Sequence, residues 1–339
     1  MEMTWTTVHQ FPDAALEKRW RELLTNADYA AHYVSPEYFN DPFLRNKNPF
    51  AIIALDGDRP VGVLTGIREG HELICGLMSR PQICFAEDVD VDLAAKSLAQ
   101  GLVEEAKDAS LLTLFTWSRV DAFQQTGYKL KDEEGVVMLD LTLGADTLFK
   151  GFAPTRRTDI RNAIKRGVEV VIANTREEFK DYYDIYLGWS ERKNVETSSF
   201  EVMEEALEAR DNRLLFLARF ENKTVAGTII RHYPGAMIEY AANTSLPESL
   251  KLRPNDLLQW RVVEWACANN YKRYSLGGAH LFSRRMGGII APVFRYRLDR
   301  TWLRQHEVKE ALKNSGRKVF TALPKGVQRQ VKRALKGED

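Results

Sequence analysis

The sequence predicts a mixed α/β fold made of two similar units in tandem. Three observations carry that expectation. Apolar runs broken by short polar turns give an antiparallel hairpin near the front of each half. Helix-period segments and single strands follow each hairpin. The order also repeats in detail: Ile53-Ala54 through Val61-Gly62-Val63 aligns without a gap on Leu217-Ala218 through Val225-Ala226-Gly227. Antiparallel hairpins combined with helix–strand alternation make a mixed sheet, not a doubly wound parallel one.

In the first half, Ala14 to Leu24 has a helical apolar face (Ala15, Leu16, Trp20, Leu23, Leu24). Phe50–Leu55 and Val61–Ile67 flank the turn Asp56-Gly57-Asp58-Arg59-Pro60 as a hairpin, and Leu73–Leu77 follows as a strand. Asp92 is the expected cap of a helix to Asp108, with Leu98, Leu102, Val103 and Ala106 inward. Leu111–Trp117, a short helix at Asp121–Gln125 and the strand Gly135–Leu141 close this half.

The second half opens with a basic helix, Arg156 to Gly167, where glycine suits a left-handed cap. Arg157, Arg161 and Lys165 form one stripe, with Ile160, Ala163 and Ile164 beside it. A charged stripe flanking a buried one suits a helix on the rim of a groove; a solvated charged face is the plainer alternative. Then come the strand Val168–Ile172, the helices Arg176–Lys193 and Phe200–Ala209, and the hairpin Leu214–Phe220 with Val225–His232. The strand Met237–Ala242, the helix Pro254–Asn269 and the strand Tyr271–Leu276 complete it. The expected division is residues 1–150, residues 151–300 and a basic helical tail, 301–339. From Arg304 to Lys336 the tail has ten Lys/Arg against two Glu, with Val327, Val331 and Leu335 as an apolar edge. It suits an anionic membrane surface or RNA, or simply a solvated helix.

Composition narrows the function. The 339 residues are 44% hydrophobic and 28% charged, enough for one large core or two ordinary ones. A formal net charge of +1 provides no global field for a polyanion, so no DNA partner is expected and any anion site is local. Cys75, Cys84 and Cys267 are too few and scattered for a disulfide framework, and they sit in apolar runs as packed thiols would. The N-terminus lacks a signal-peptide pattern, and no apolar run approaches the ~20 residues that span a bilayer. A cytoplasmic protein is expected.

Phosphate-loop, dinucleotide, zinc-protease and nucleophile-elbow motifs are absent, and the six histidines lack metal-ligand spacing. No metal and no permanently bound cofactor are expected. The remaining candidates are chain ends, where sheets of this kind form sites. The strand at Met237 carries Glu239 and Tyr240 and runs into Asn243. The next helix opens at Arg253-Pro254-Asn255-Asp256, and a helix N-terminus can hold an anion. Gly277 and Gly278 let a ligand approach bare backbone.

These residues and their order resemble a known family. Hairpin, strand, helix, strand is the order of the GNAT acyltransferase fold. Two such units joined through Arg157, Ile160-Arg161, Ala163, Lys165 and Gly167-Val168 resemble the Fem-type peptidyltransferases. They also resemble the acetyltransferase-like proteins of cellulose and exopolysaccharide loci. Further matching stretches are Leu215–Ala218, Pro254–Trp260, Trp265-Ala266, Leu276–Ala279 and Phe282–Gly288. The resemblance implies acyl or aminoacyl transfer to an amine of a peptidoglycan or polysaccharide precursor, free or lipid-linked. The co-substrate is acyl-CoA or aminoacyl-tRNA, and tRNA is then a partner. Arg253 to Leu258 stands where GNAT enzymes carry a glycine-rich pyrophosphate loop, and the glycines are missing.

The expected mechanism is direct transfer without a covalent enzyme intermediate. Glu239 is the candidate general base, with backbone N–H groups of its strand steadying the oxyanion. Arg156, Arg157, Arg161, Lys165, Tyr240 and Asn243 are the candidate substrate-binding residues, the arginines holding a phosphate or carboxylate. Arg253, Asn255, Asp256, Gly277 and Gly278 are the candidate donor-binding residues. Two alternatives stay open: a non-catalytic module binding a glycan or envelope precursor, and an RNA-binding protein.

Overall fold

The computed structural model describes residues 3–209 and 212–312. In the first half, β1 (Thr4–Val8), α1 (Ala14–Thr25) and three short 3-10 turns between His32 and Leu44 precede β2 (Pro49–Asp56) and β3 (Arg59–Glu69). Next come β4 (Glu72–Leu77), β5 (Arg80–Pro81), β6 (Ile83–Phe85), α2 (Val91–Glu105), β7 (Leu111–Thr116), α3 (Asp121–Gln125) and β8 (Lys129–Asp140). The second half runs α4 (Ala145–Gly151), α5 (Pro154–Lys165), β9 (Glu169–Ile172), α6 (Arg176–Lys193), α7 (Phe200–Glu208), β10 (Arg213–Phe220) and β11 (Lys223–His232). It continues with β12 (Met237–Ser245), α8 (Pro254–Ala268), β13 (Arg273–Gly278), α9 (Leu281–Arg284) and β14 (Ile289–Asp299).

The expected duplication is present down to its irregularities. Ile53 pairs with Val63 in the first hairpin as Leu217 pairs with Gly227 in the second. Each hairpin then shifts register at the same place, after Ala54 and after Ala218. In both halves the strand after the hairpin pairs in parallel with the strand after the long helix: β4 with β7, and β12 with β13.

All these strands join one mixed sheet, ordered β1-β2-β3-β4-β7-β14-β8-β13-β12-β11-β10-β9, with β5 and β6 on its flank. The halves exchange their last strands. β14, from the second half, lies beside β7, and β8, from the first, lies beside β13. Neither β14 nor the first six residues of β8 follows from the sequence pattern. The sequence pattern assigns residues 129–134 to no element, yet they pair with β14, where Arg295 forms an ion pair with Asp132. One cross-strand ion pair supports this end of the sheet, while Arg297 lies opposite Lys129 and engages Glu310 instead.

Four apolar clusters sit on this sheet. One lies under α2, and one under α5 and α8. A third lies under α6 and α7. The fourth, under α1 and the 3-10 turns, gathers Trp20, Val34 and Ile53 of the first half with Met237 of the second, so it is continuous across the seam. Cys75 and Cys84 are buried, and burial pushes both thiols up, as expected of packed cysteines. α2 is capped by Asp90, whose side chain accepts from Asp92 and Leu93 N–H, rather than by Asp92. No helix among the described residues is long and apolar enough to cross a membrane. The chain is helical over 305–312. Glu310 there engages Arg295 and Arg297, and the Glu307 N–H donates to Asp299 at 3.0 Å. Val327, Val331, Leu335 and the rest of the basic tail lie outside the described residues.

The strand exchange depends on a tight entry into β14. Gly288 has φ +80°, and a Cβ there would sit 2.4 Å from the Met138 carbonyl oxygen. Gly288→Ala should therefore lower stability by at least about 2 kcal/mol, because it adds backbone strain and overpacking together. A urea midpoint equal to that of the wild type would contradict this.

Candidate functional site

The parallel pairing of β12 with β13 covers only Met237–Glu239 against Arg273–Ser275. Beyond it the pairing stops: β13 also breaks register with β8 after Ser275, and β12 bulges. On the β11 side Ile229 opposes Ala242 and Ile230 opposes Tyr240, leaving Ala241 as the extra residue. Ala241 thus has no register partner on either neighbouring strand.

That bulge opens onto a cavity of about 210 Å³ at the seam between the halves. Tyr182, Tyr186, Met203, Leu207 and Ile229 give it apolar walls from the second half. Tyr33 and Phe43 close it from the first. Arg213 and Arg231 line its polar side. These arginines are opposite one another across β10 and β11, and Arg231 is opposite Glu239 across β11 and β12. Directly opposed residues share a face, so Arg213, Arg231 and Glu239 form one row, facing α6 and α7.

The row is held by buried ion pairs. Arg213 donates to Asp41 at 2.8 Å, and the same Asp41 oxygen faces His32 Nε2 at 3.1 Å. Asp41 comes from the first half, so one carboxylate bridges the seam. Burial would raise its carboxyl, but the His32 hydrogen bond and the Arg213 charge outweigh burial and hold it far below the usual range. Burial pushes His32 down, favouring the neutral ring. Glu239, only 3% exposed, lies with one oxygen 3.5 Å from Arg231 Nε. The sequence reading found Glu239 but none of His32, Asp41, Arg80, Arg213 or Arg231. Those residues are far apart in the chain, and only the packing of the turns near His32 onto β10–β12 gathers them.

The other candidates fall elsewhere. Arg156 is a correction: it does not line a groove but is fully buried on α5, 3.2 Å from Asp256 and against the Phe282 ring. Burial draws its guanidinium down to about 10 in spite of Asp256. Asp256 is a second correction. It is buried in the first turn of α8, where its carboxylate pairs with Arg156 and is not free to meet a donor. Arg253, in the left-handed conformation, and Arg285 both pair with Asp159. Asn255 Nδ2 donates to Ser245 at 3.2 Å. Arg161 and Lys165 are exposed and Arg157 is half-buried on the same helix; none of the three lines the seam cavity. Ile164, expected inward, is 47% exposed.

Tyr240 follows Glu239 on the strand and so points to the opposite face, packing against the α8-side core. Burial pushes its hydroxyl up to about 12. Asn243 lies beyond the bulge, with its amide nitrogen shut off from solvent and unpaired. Gly277 has φ +70°, and Gly278 lines a separate groove with Met78, Ser79 and His280.

The His32–Asp41 contact makes the seam sensitive to acid. A buried neutral histidine takes up its proton only on unfolding, so its stabilisation is present above the ordinary value of about 6.5 and is lost as pH falls below it. Asp41, depressed in the folded state, adds a further loss once pH falls below about 4. The wild-type urea midpoint should drop between pH 7.5 and 5.5, and His32→Gln should shrink that drop. A wild-type midpoint that does not change would contradict the assignment.

Residues 154–283 match the family model described as an acetyltransferase (GNAT) domain. No curated protein matches the chain. Among solved structures, FemX is 15% identical with a TM-score of 0.66, over 87% of this chain and 98% of that one. The C-terminal domain of a putative lysylphosphatidylglycerol synthetase from Agrobacterium fabrum is 12% identical with a TM-score of 0.60, over 89% and 97%. A tandem GNAT protein from the clavulanic acid biosynthesis pathway is 13% identical with a TM-score of 0.56, over 89% and 99%. At these identities the likeness is one of fold: two GNAT-like units in tandem.

Proposed function

We propose that this chain, a GNAT-superfamily acyltransferase of tandem Fem-like fold, moves an acyl or aminoacyl group onto an amine at the seam cavity. The observation that carries the reading is the β12 bulge, where Ala241, without a register partner, lines a cavity walled by aromatic and apolar side chains. In the proposed reaction the amine nitrogen attacks the acyl carbonyl and the new C–N bond forms. The carbonyl oxygen takes the negative charge and accepts from the Ala241 N–H. The intermediate then collapses, the C–S or ester C–O bond breaks, and the thiolate or alkoxide leaves and is protonated. The surplus proton of the ammonium passes to the base.

Glu239 remains our candidate base. It lies behind Arg231, so the proposal requires Arg231 to turn toward the substrate and free the carboxylate. The cavity itself accounts for little beyond positioning, which in such reactions supplies much of the rate.

The donor is inferred from α8. An acyl-CoA pyrophosphate at the start of that helix would lie near the Asp256 carboxylate in its first turn, and like charges oppose this. The acidic run Glu87 to Asp92 at the start of α2 opposes it equally in the first half. These features favour aminoacyl-tRNA over acyl-CoA. The acceptor we propose is an amine of a cell-envelope precursor, peptidoglycan or polysaccharide.

The test is mass gain on amine-bearing envelope precursors incubated with the protein and either acetyl-CoA or a mixture of charged tRNAs. We expect gain with charged tRNA. Glu239→Gln should lower kcat at least about tenfold with KM little changed. Precursor binding with no mass gain from either donor would support a non-catalytic binding module instead. Salt-sensitive tRNA binding without transfer would support an RNA-binding protein.

A further inference from the structure

Charge at the seam does not balance. Three guanidinium groups gather at Tyr33: Arg80 lies 4.1 Å from its ring centroid, Arg231 lies 5.1 Å from it, and Arg213 Nη2 is 3.5 Å from its hydroxyl. Two carboxylates answer them, Asp41 beside Arg213 and Glu239 beside Arg231. His32 is kept neutral by burial, and burial likewise pushes the Tyr38 hydroxyl up, so neither supplies the missing negative charge. Among the described residues Arg80 has no carboxylate within ion-pair distance. Its Nε is shut off from solvent without a hydrogen-bond acceptor, and so is the Nε of Arg231.

A partly buried guanidinium with no counter-charge is costly to keep. Lying against a ring face recovers only part of that cost. β5 is two residues long and sits on the flank of the sheet, so nothing in the pairing of the sheet demands an arginine there. The loss makes physical sense where a ligand completes the charge. Arginine is the residue that binds a planar or tetrahedral oxyanion through paired donors.

We infer that Arg80 and Arg231 form a subsite for a carboxylate or phosphate group of the substrate at the seam. The inference rests on the adjoining cavity being the transfer site, and it adds that the molecule bound there is anionic. The subsite draws one arginine from each half, so it exists only when the halves are docked. Filling it would also draw Arg231 from Glu239.

Binding is measured without any transfer reaction. Inorganic pyrophosphate probes the phosphate case and N-acetylglycine the carboxylate case, each titrated against the full chain by calorimetry at low salt. We expect one of the two to bind the wild type. Arg80→Met, which keeps the apolar stem, should weaken that binding at least about tenfold. Arg119→Met, at an exposed arginine just before α3, should bind as the wild type does. The ligand-free Arg80→Met protein should melt at or above the wild-type temperature, because an uncompensated charge has been removed. Equal binding by Arg80→Met, no binding of either probe to the wild type, or failure of Arg80→Met to fold would each overturn the subsite. Acyl transfer that proceeds with an unchanged KM in Arg80→Met would overturn it while leaving the proposed function standing. Anion binding that depends on Arg80, in a protein without transfer activity, would uphold it and remove that function instead.

Discussion

β12 and β13 stay paired for three residues and then part, and most of the chemistry proposed for this chain depends on that divergence. β13 pairs with β8 of the first half over the same three residues and breaks register with it after Ser275. β12 keeps its place beside β11 only by taking an extra residue at Ala241. A regular pair would have given Ala241 a register partner and carried the pairing on. A network on the α8 side steadies the opening. The Tyr274 hydroxyl donates to Gln259 Oε1 at 2.7 Å, Gln259 Nε2 donates to Thr228 at 3.2 Å, and Thr228 donates to the Ala242 carbonyl at 2.9 Å. All three side chains are buried, so these bonds form away from competing water.

The exchange of β8 and β14 explains why the seam can be both buried and polar. Each half completes the other's sheet, so the two are not free to separate at the Asp41–Arg213 contact. Buried ion pairs add little net stability compared with apolar packing, but leaving one partner unpaired is strongly unfavourable. Here the apolar cluster around Trp20, Val34 and Met237 supplies adhesion beside the pairs. The charged row can then serve alignment: Asp41 fixes Arg213, and Arg231 is held more loosely by Glu239 at 3.5 Å.

Much of the architecture was legible because it is local. The hairpins carry turn residues between apolar runs, and α6 has both a capping box at Thr175 and a left-handed Asn194 at its end. The repeat of Ile53-Ala54 in Leu217-Ala218 reflects the same bulged hairpin made twice. β14 was not legible, since its Pro292 and its arginines argue against a central strand, and Asp132 of β8 and the distant Glu310 meet those arginines only in the fold. The site was half legible. Glu239 stood out as a carboxylate on the strand before α8. Arg156, taken with the other α5 arginines as a substrate-binding candidate, was misleading, because periodicity alone does not show that it turns under α8 to meet Asp256. Arg80, Arg213 and Arg231 look like ordinary strand-edge charges until the turns near His32 fold over them.

The central claim is that an acyl group is received at the β12 bulge and not at the start of α8. Amide chemical shifts of 15N-labelled protein, followed during titration with a non-hydrolysable aminoacyl-tRNA analogue, test it most directly. The account predicts that the Ala241 and Ala242 amides move first and furthest, while those of Asn255 and Asp256 stay in place. Shifts centred on Asn255 and Asp256, with Ala241 unmoved, would contradict it.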